Sequence, residues 1–388
     1  MLNLAEYRKT TTGLADYLPW ACLVAPGIVL NKDGSFQRTF RYRGPDLDSA
    51  TDAELVAVSA RLNNVLRRFG EGWALFFEAE RVPANQYPGH RFADAASWLV
   101  DQERYASFSE DGAHHESRYY LTLLYLPPPE HQGRAERLLY ERQEGYSDDA
   151  DVWGQLAWFE TETTRALELL ASILPEAEAL DDAETLAYLH GTISDKRHPV
   201  AVPNVPTHLD AILCDTPFLG GVEPKLGRQH LRLLTVTGFP NTTTPGLLDA
   251  LNDLGFAYRW TTRWIALDKI QANRQLTKLR RQWFAKRKSV AAVLREVMFN
   301  RETALVDSDA DNKAADADEA LQELGADDVA FGYLTTTLVV GDAEPKRADE
   351  KLLALERIIN GRGFTTIRET LNAVEAWLGS LPGNPYAN

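Results

Sequence analysis

Thiols are scarce in this sequence. Cys22 and Cys214 are the two cysteines in 388 residues. They lie far apart and belong to no metal-binding or redox spacing. Two buried free thiols in a reducing compartment are therefore expected. Long apolar runs are also missing. The most apolar stretch, Leu14 to Leu30, is interrupted by Asp16, Pro19 and Pro26. It is too short and too broken for a membrane span, and it lacks the basic leader of a secretory signal. No Gly-Lys dipeptide occurs anywhere. The chain thus has no Gly-x-x-x-x-Gly-Lys-Ser/Thr loop to cradle phosphate, and by itself it is expected to be no ATPase and to hold no cofactor. Basic residues are in deficit, 41 against 56 acids, for a formal charge of −15. That disfavours non-specific binding of nucleic acid or anionic lipid by the whole molecule and leaves only local patches for such partners. Fixed-period repeats and low-complexity tracts are absent too.

What is present is ordinary globular composition, 44% hydrophobic and 25% charged, in a length that suits two or three domains. A hairpin opens the pattern, with Gly27 to Leu30, a turn at Asn31-Lys32-Asp33-Gly34, and Phe36 to Arg43. Phe36, Phe40 and Tyr42 share one face and Gln37, Thr39, Arg41 and Arg43 the other, so one face is expected buried and the other wet. Thr51 and Glu54 form a capping box for a helix with an inner stripe of Leu55, Val58, Leu62, Val65, Leu66 and Phe69. Strands are expected at Trp73 to Val82 and Tyr119 to Leu126, with a helix between them from about Ala93 to Phe108. Residues 134–221 read as mostly helical, with long helix Val152 to Leu174, a helix capped by Asp181 and Glu184, and a Pro-rich surface connector from His198 to Gly221.

From His230 a second β-α-β pattern begins. It runs through strand His230 to Thr237, helix Gly246 to Leu254, strand Phe256 to Leu267, a basic helix, an acidic segment, strand Val329 to Val340 and helix Ala348 to Ile359. Near its end, Leu371, Val374, Leu378 and Leu381 are spaced for one helical face beside Trp377, before Pro382, Gly383 and Pro385 break the helix. Such a tail usually leads from one domain to another. The fold class is α+β (mixed α/β): an N-terminal lobe over 1–130, a helical and irregular connector over 131–229, and a second lobe over 230–388 ending in a linker.

The strongest local feature is basic. Lys269 to Arg295 holds nine bases and no acid, with Trp283 and Phe284 in the middle. Lys278, Arg280, Arg281, Lys286, Arg287 and Lys288 are the candidate interaction surface, for nucleic acid, acidic lipid or an acidic protein. Glu302 to Asp328 holds ten acids and one base, so an acidic helix folded back on the basic one would neutralise both, and this is the favoured reading. His190 and Ser194 stand one helical turn apart, as a base and nucleophile could. No Gly-x-Ser-x-Gly elbow accompanies them, so a packing or capping role is favoured. His114-His115-Glu116 has no second ligand cluster and reads as surface loop. Gly220-Gly221…Lys225…Gly227 reads as a turn.

Several longer stretches resemble a known family. They are Leu-Pro-Trp-Ala (18–21), Val-Leu-Asn-Lys-Asp-Gly-Ser-Phe-Gln-Arg (29–38), Arg-Gly-Pro-Asp-Leu-Asp (43–48), Arg-Arg-Gln-Trp-Phe-Ala-Lys-Arg-Lys (280–288), Asp-Asn-Lys-Ala-Ala-Asp-Ala-Asp (311–318) and Glu-Thr-Leu-Asn-Ala-Val-Glu-Ala-Trp-Leu-Gly-Ser-Leu-Pro-Gly-Asn (369–384). Together they resemble the N-terminal region of TrbE-type conjugal-transfer ATPases, the CagE/TrbE family of type IV secretion. The resemblance implies a parent ATPase whose RecA-like motor, with its ATP and Mg, lies beyond such a region. For the region itself it implies docking on the inner-membrane complex through a small membrane subunit and other secretion components, self-association into an oligomer, and a cytoplasmic, peripheral position at the inner-membrane face. Leu18, Trp20, Leu23, Ile28 and Leu30 are the candidate membrane-subunit contact. A nucleic-acid-binding module built on helix 269–295 is the alternative.

Overall fold

The computed structural model describes residues 13–46, 49–84, 87, 89, 91–109, 114–127, 149–240, 243–286 and 308–387. Strands from both expected lobes join one twelve-stranded sheet. In chain order they are β1 (Trp20–Ala25), β2 (Ile28–Asn31), β3 (Phe36–Arg43), β4 (Trp73–Pro83), β5 (His115–Tyr125), β6 (Glu176–Ala179), β7 (Phe218–Leu219), β8 (Lys225–Leu226), β9 (Gln229–Gly238), β10 (Tyr258–Ala266), β11 (Gly332–Asp342) and β12 (Thr365–Glu369). Their spatial order is β1-β2-β3-β5-β4-β10-β11-β9-β8-β7, with β6 on β3 and β12 on β9. The β1–β2, β2–β3, β3–β5, β9–β11 and β9–β12 pairs are all antiparallel.

By compactness the chain divides into two units. One is Met1–Val56 with Ala74–Trp264 and Leu334–Asn388; the other is Ala57–Trp73 with Ile265–Tyr333. These bounds differ from the three-part division read along the sequence, because pairing between distant strands places 20–43 and 229–266 in one sheet.

The first unit buries both sheet faces. On β9, Leu233 joins a cluster with Trp20, Leu189, Trp377 and Leu381, while its neighbour Leu234 joins another with Leu338, Leu352, Leu355 and Ile359. Successive strand residues point to opposite faces, so each face has its own core. Helix Pro345–Gly361 covers one of them. Its buried residues Ala348, Leu352, Leu355 and Ile359 recur at helical spacing, with Pro at the first turn. The same two-sided burial corrects the expectation for the hairpin. Gln37 and Thr39, placed on the wet face by alternation, are as buried as Phe36 and Phe40, and only Arg41 and Arg43 reach solvent.

Both capping boxes form. Glu54 accepts from Thr51 N at 2.8 Å while Glu54 N donates to Thr51 Oγ1, and Asp181 and Glu184 do the same for helix Asp182–Ile193. The helix expected at Gly246 to Leu254 is reduced to a 3-10 turn at Asp249–Asp253. The last helix is Ala373–Gly379, so Leu371 precedes it and is exposed. In the second unit, helix Ser308–Gly325 packs along helix Lys269–Lys286.

Candidate functional site

The segment read as a partner contact is interior. Leu18, Trp20, Ile28 and Leu30 are at most 1% exposed, and Leu23 is half-buried. Their apolarity is used by the core, so Leu18, Trp20, Ile28 and Leu30 present no surface to a membrane subunit, and Leu23 only part of its side chain. Nor is β1 an open, regular edge. It pairs with β2 through two register shifts, and helix Leu209–Leu213 packs against it. Bulges of this kind discourage strand addition.

Charge lies deeper than strand alternation suggests. On β10, the polar set Arg259, Thr261 and Arg263 is more buried than Trp260 and Trp264. Arg259 meets Glu78 of β4 in a two-pronged pair, Nε to Oε1 at 2.7 Å and Nη2 to Oε2 at 2.8 Å. Tyr188 donates to the same carboxylate at 3.1 Å. Glu80, two residues on, pairs with Arg197, and burial raises its pKa although Arg197 opposes the shift.

The same arginines hold the irregular segment 380–387. Arg259 donates to Ser380 O at 3.0 Å, Arg263 to Asn384 O at 3.1 Å and also to Ala387 O, and Trp20 Nε1 to Pro382 O at 2.8 Å. Leu381, Pro382 and Gly383 are buried. The segment read as a linker is thus fixed as a strap across a sheet face. Gly383 has φ +87°, and a Cβ there would fall inside contact distance of Gln37 Oε1, so only glycine suits the crossing.

The basic helix is partly neutralised. Arg280 pairs with Asp318 at 2.7 Å and Lys269 with Asp327 at 2.6 Å. Arg274, Lys278 and Arg281 are exposed, have no carboxylate partner among the described residues, and line an open cleft with Asn273, Thr277 and Gln282. The side chain of Lys286, and Arg287 and Lys288 altogether, lie outside the described residues.

His190 and Ser194 come together through a residue that sequence spacing did not suggest. Asp215, following helix Leu209–Leu213, has Oδ1 2.9 Å from Ser194 Oγ, 2.9 Å from Thr216 Oγ1 and 3.1 Å from His190 Nε2. The carboxylate stands between serine and imidazole, which is the wrong order for a nucleophile activated by histidine. Lys196 Nζ lies 3.1 Å and His198 Nε2 3.5 Å from Oδ2. Although burial opposes it, donation from Thr216, Ser194 and Lys196 holds the Asp215 carboxyl well below the usual range. His114, by contrast, stacks on Phe108, and Glu116 pairs with Arg118.

One exposed feature escaped the sequence pattern. Helix Ala95–Phe108 has no buried residue, and Trp98, Leu99, Val100 and Tyr105 are each 50–57% exposed. It is nonetheless anchored. Asp94 caps it by accepting from Ala96 and Ser97, Tyr87 donates to Asp101 at 2.6 Å, and the Tyr87 ring touches Tyr105 and Phe108. Three consecutive apolar residues make no 3.6-residue stripe, which is why periodicity did not mark them.

Comparison with known proteins agrees along the chain. Residues 27–133 match the model of the type IV secretion system ATPase VirB4/TrbE N-terminal domain. Conjugal transfer protein TrbE of Rhizobium radiobacter is 31% identical over all of this chain and 48% of its own length. A shorter, probable conjugal transfer protein TrbE of Sinorhizobium fredii is 38% identical over 36% of this chain and 95% of its own. A type IV secretion protein virB4 of Brucella abortus is 22% identical over 98% of this chain and 45% of its own. The chain thus spans about half the length of the first of these relatives. Residues 172–388 match the model of the CagE, TrbE, VirB family, component of the type IV transporter system, and the chain belongs to that family.

Proposed function

We propose that this chain is the docking and assembly region of a type IV secretion ATPase, seating the motor at the cytoplasmic face of the inner membrane for pilus assembly and substrate transfer. The observation that carries the docking role is helix Ala95–Phe108, capped and anchored yet open along Trp98, Leu99 and Val100. Ordered aromatic surface of this kind suits a protein partner, because its burial on binding costs little further ordering. Docking is therefore assigned to this helix and not to 18–30. The partners are an inner-membrane subunit and neighbouring secretion components, with self-association of the chain. ATP and Mg belong to the motor of the parent protein. No described helix is long and apolar enough to cross a membrane, so membrane association in this reading is through partners.

The test is Trp98→Glu with Leu99→Glu, made in the parent protein within a working secretion system. Loss of membrane co-fractionation and of transfer, with unchanged circular dichroism, is expected. Unchanged fractionation and transfer would overturn the assignment.

A second reading, single-stranded nucleic acid on the basic helix, is favoured by Arg274, Lys278 and Arg281, exposed and without a carboxylate partner among the described residues. Three neutralised phosphates give a log–log salt slope of about −2. Binding that is absent, or flat with salt, removes this reading.

A further inference from the structure

His190, His198 and Asp215 reach one point from three places in the fold. His190 is on helix Asp182–Ile193, His198 on the extended segment after it, and Asp215 follows helix Leu209–Leu213. One nitrogen from each histidine and one carboxylate oxygen lie within 4.8 Å of one another. Donor atoms around a tetrahedral zinc, at metal–ligand distances near 2.0–2.1 Å, stand about 3.3 Å apart. His190 Nε2 to Asp215 Oδ1 is 3.1 Å and His198 Nε2 to Asp215 Oδ2 is 3.5 Å. Small side-chain adjustments therefore suffice to place all three on one ion.

Two details separate this cluster from a simple hydrogen-bonded hub. His190 is 1% exposed and its Nε2 makes no aligned hydrogen bond, although the Asp215 oxygen is close. A buried nitrogen left so costs free energy unless something fills its lone pair. On His198, Nδ1 lies 3.0 Å from Pro199 O. A proton donated there leaves Nε2 with its lone pair toward the carboxylate, and a backbone carbonyl is a usual outer partner of metal-bound histidine. Ser194 and Thr216 donate to Asp215 Oδ1 and hold the carboxylate in place. With both Nε2 atoms unprotonated, two lone pairs and a carboxylate face one another, an arrangement that a cation completes. Lys196 supplies one to Oδ2 and to Asp215 O at 3.3 Å, but is not bonded to His190. Its side chain is 55% exposed and free to leave.

We propose that His190, His198 and Asp215 form a three-ligand site for a divalent transition metal, zinc by ligand type, which ties helix Asp182–Ile193 to the connecting segment 195–217. Lys196 neutralises Asp215 when metal is absent and swings into solvent when it binds. Water completes the fourth position.

The 388-residue chain, free of any polyhistidine tag and treated with chelator, is titrated with zinc alone and with cobalt alone. One equivalent of zinc is expected to bind with a rise in melting temperature, and cobalt to give the visible absorption of a four-coordinate site. His198→Ala and Asp215→Asn should each weaken binding by roughly a hundredfold, with far-UV circular dichroism unchanged for the half-exposed His198. Lys196→Met should tighten it by roughly tenfold, the effect of removing one screened like charge. Absence of saturable binding overturns the proposal, and so does binding unaltered by His198→Ala and Asp215→Asn.

Discussion

The Glu78–Arg259 pair is the sharpest test of how the sheet is held. Glu78 is 2% and Arg259 8% exposed. Changing Arg259→Met takes two donors from Glu78 and leaves the carboxylate with Tyr188 alone, beside Glu80. It also strips the Arg259 donor from Ser380 O. Breaking a buried pair from one side costs about 3–5 kcal/mol. Glu78→Leu leaves an uncompensated guanidinium and should cost about the same. The double change removes both charges. It leaves Ser380 O and the Tyr188 hydroxyl short of partners, at about 1–3 kcal/mol each. The double variant should therefore lose about 2–6 kcal/mol where simple addition gives about 6–10, a coupling of about 4 kcal/mol. Urea unfolding followed by the fluorescence of the nine tryptophans measures this, with circular dichroism as a second probe, because a chain of two units need not unfold in one step. Coupling below about 1 kcal/mol would mean that the pair is solvated and that the two-sided burial of β4 and β10 is misread.

Two further outcomes follow from the same region. Gly383→Ala, at φ +87° against buried Gln37 and Asn31, should cost at least about 2 kcal/mol and expose 380–387 to limited proteolysis. A stable, protease-resistant variant would show that the strap tolerates a side chain. Burial raises the pKa of Glu80, so the folded chain holds that proton at a pH where the unfolded chain has released it. Stability contributed at this site then increases as pH falls through the raised pKa toward the ordinary glutamate range. Glu80→Gln should flatten that portion of the stability–pH curve, and an unaltered curve would rule Glu80 out as its source.

Local rules read well from the sequence. The capping boxes at Thr51/Glu54 and Asp181/Glu184 form as spelled. Strands β5, β9 and β11 overlap the runs that name them, and the acidic helix does lie on the basic one through Arg280 and Asp318. What was not legible depends on partners far away in sequence. Alternation on β3 and β10 assumes one wet face, and the sheet has none along Gln37, Thr39, Arg259 and Arg263. Asp215 meets His190 and Ser194 only because the connector folds back, and no spacing rule reaches across the 21 positions from Ser194 to Asp215. Trp98, Leu99 and Val100 were legible as residues but not as surface, since a run of three apolar side chains is equally a core motif.

The strap and the buried arginines explain each other. Segment 380–387 has no strand partner for its backbone, yet Leu381, Pro382 and Gly383 are buried. Carbonyls of an irregular buried chain need donors from outside it. An apolar β10 could pack the strap by volume but would leave Ser380 O, Asn384 O and Ala387 O bare. Arg259 and Arg263, two turns of the strand pleat apart, supply those donors, and Trp20 supplies Pro382 O from the far side of the sheet order. The cost of burying Arg259 is then offset by Glu78, which is why an acid sits inside β4. Arginines four residues apart on one face of a strand, an acid inside another and a Pro/Gly-rich tail are separately unremarkable. Their coincidence in one chain is the signature of a tail held on a sheet. Arg263→Met should accordingly free Asn384 and Ala387 while leaving Ser380 bound through Arg259. In hydrogen exchange, protection would fall at 384–387 and persist around 377–381. Equal loss along the whole segment would show that the strap is held by packing and not by these donors.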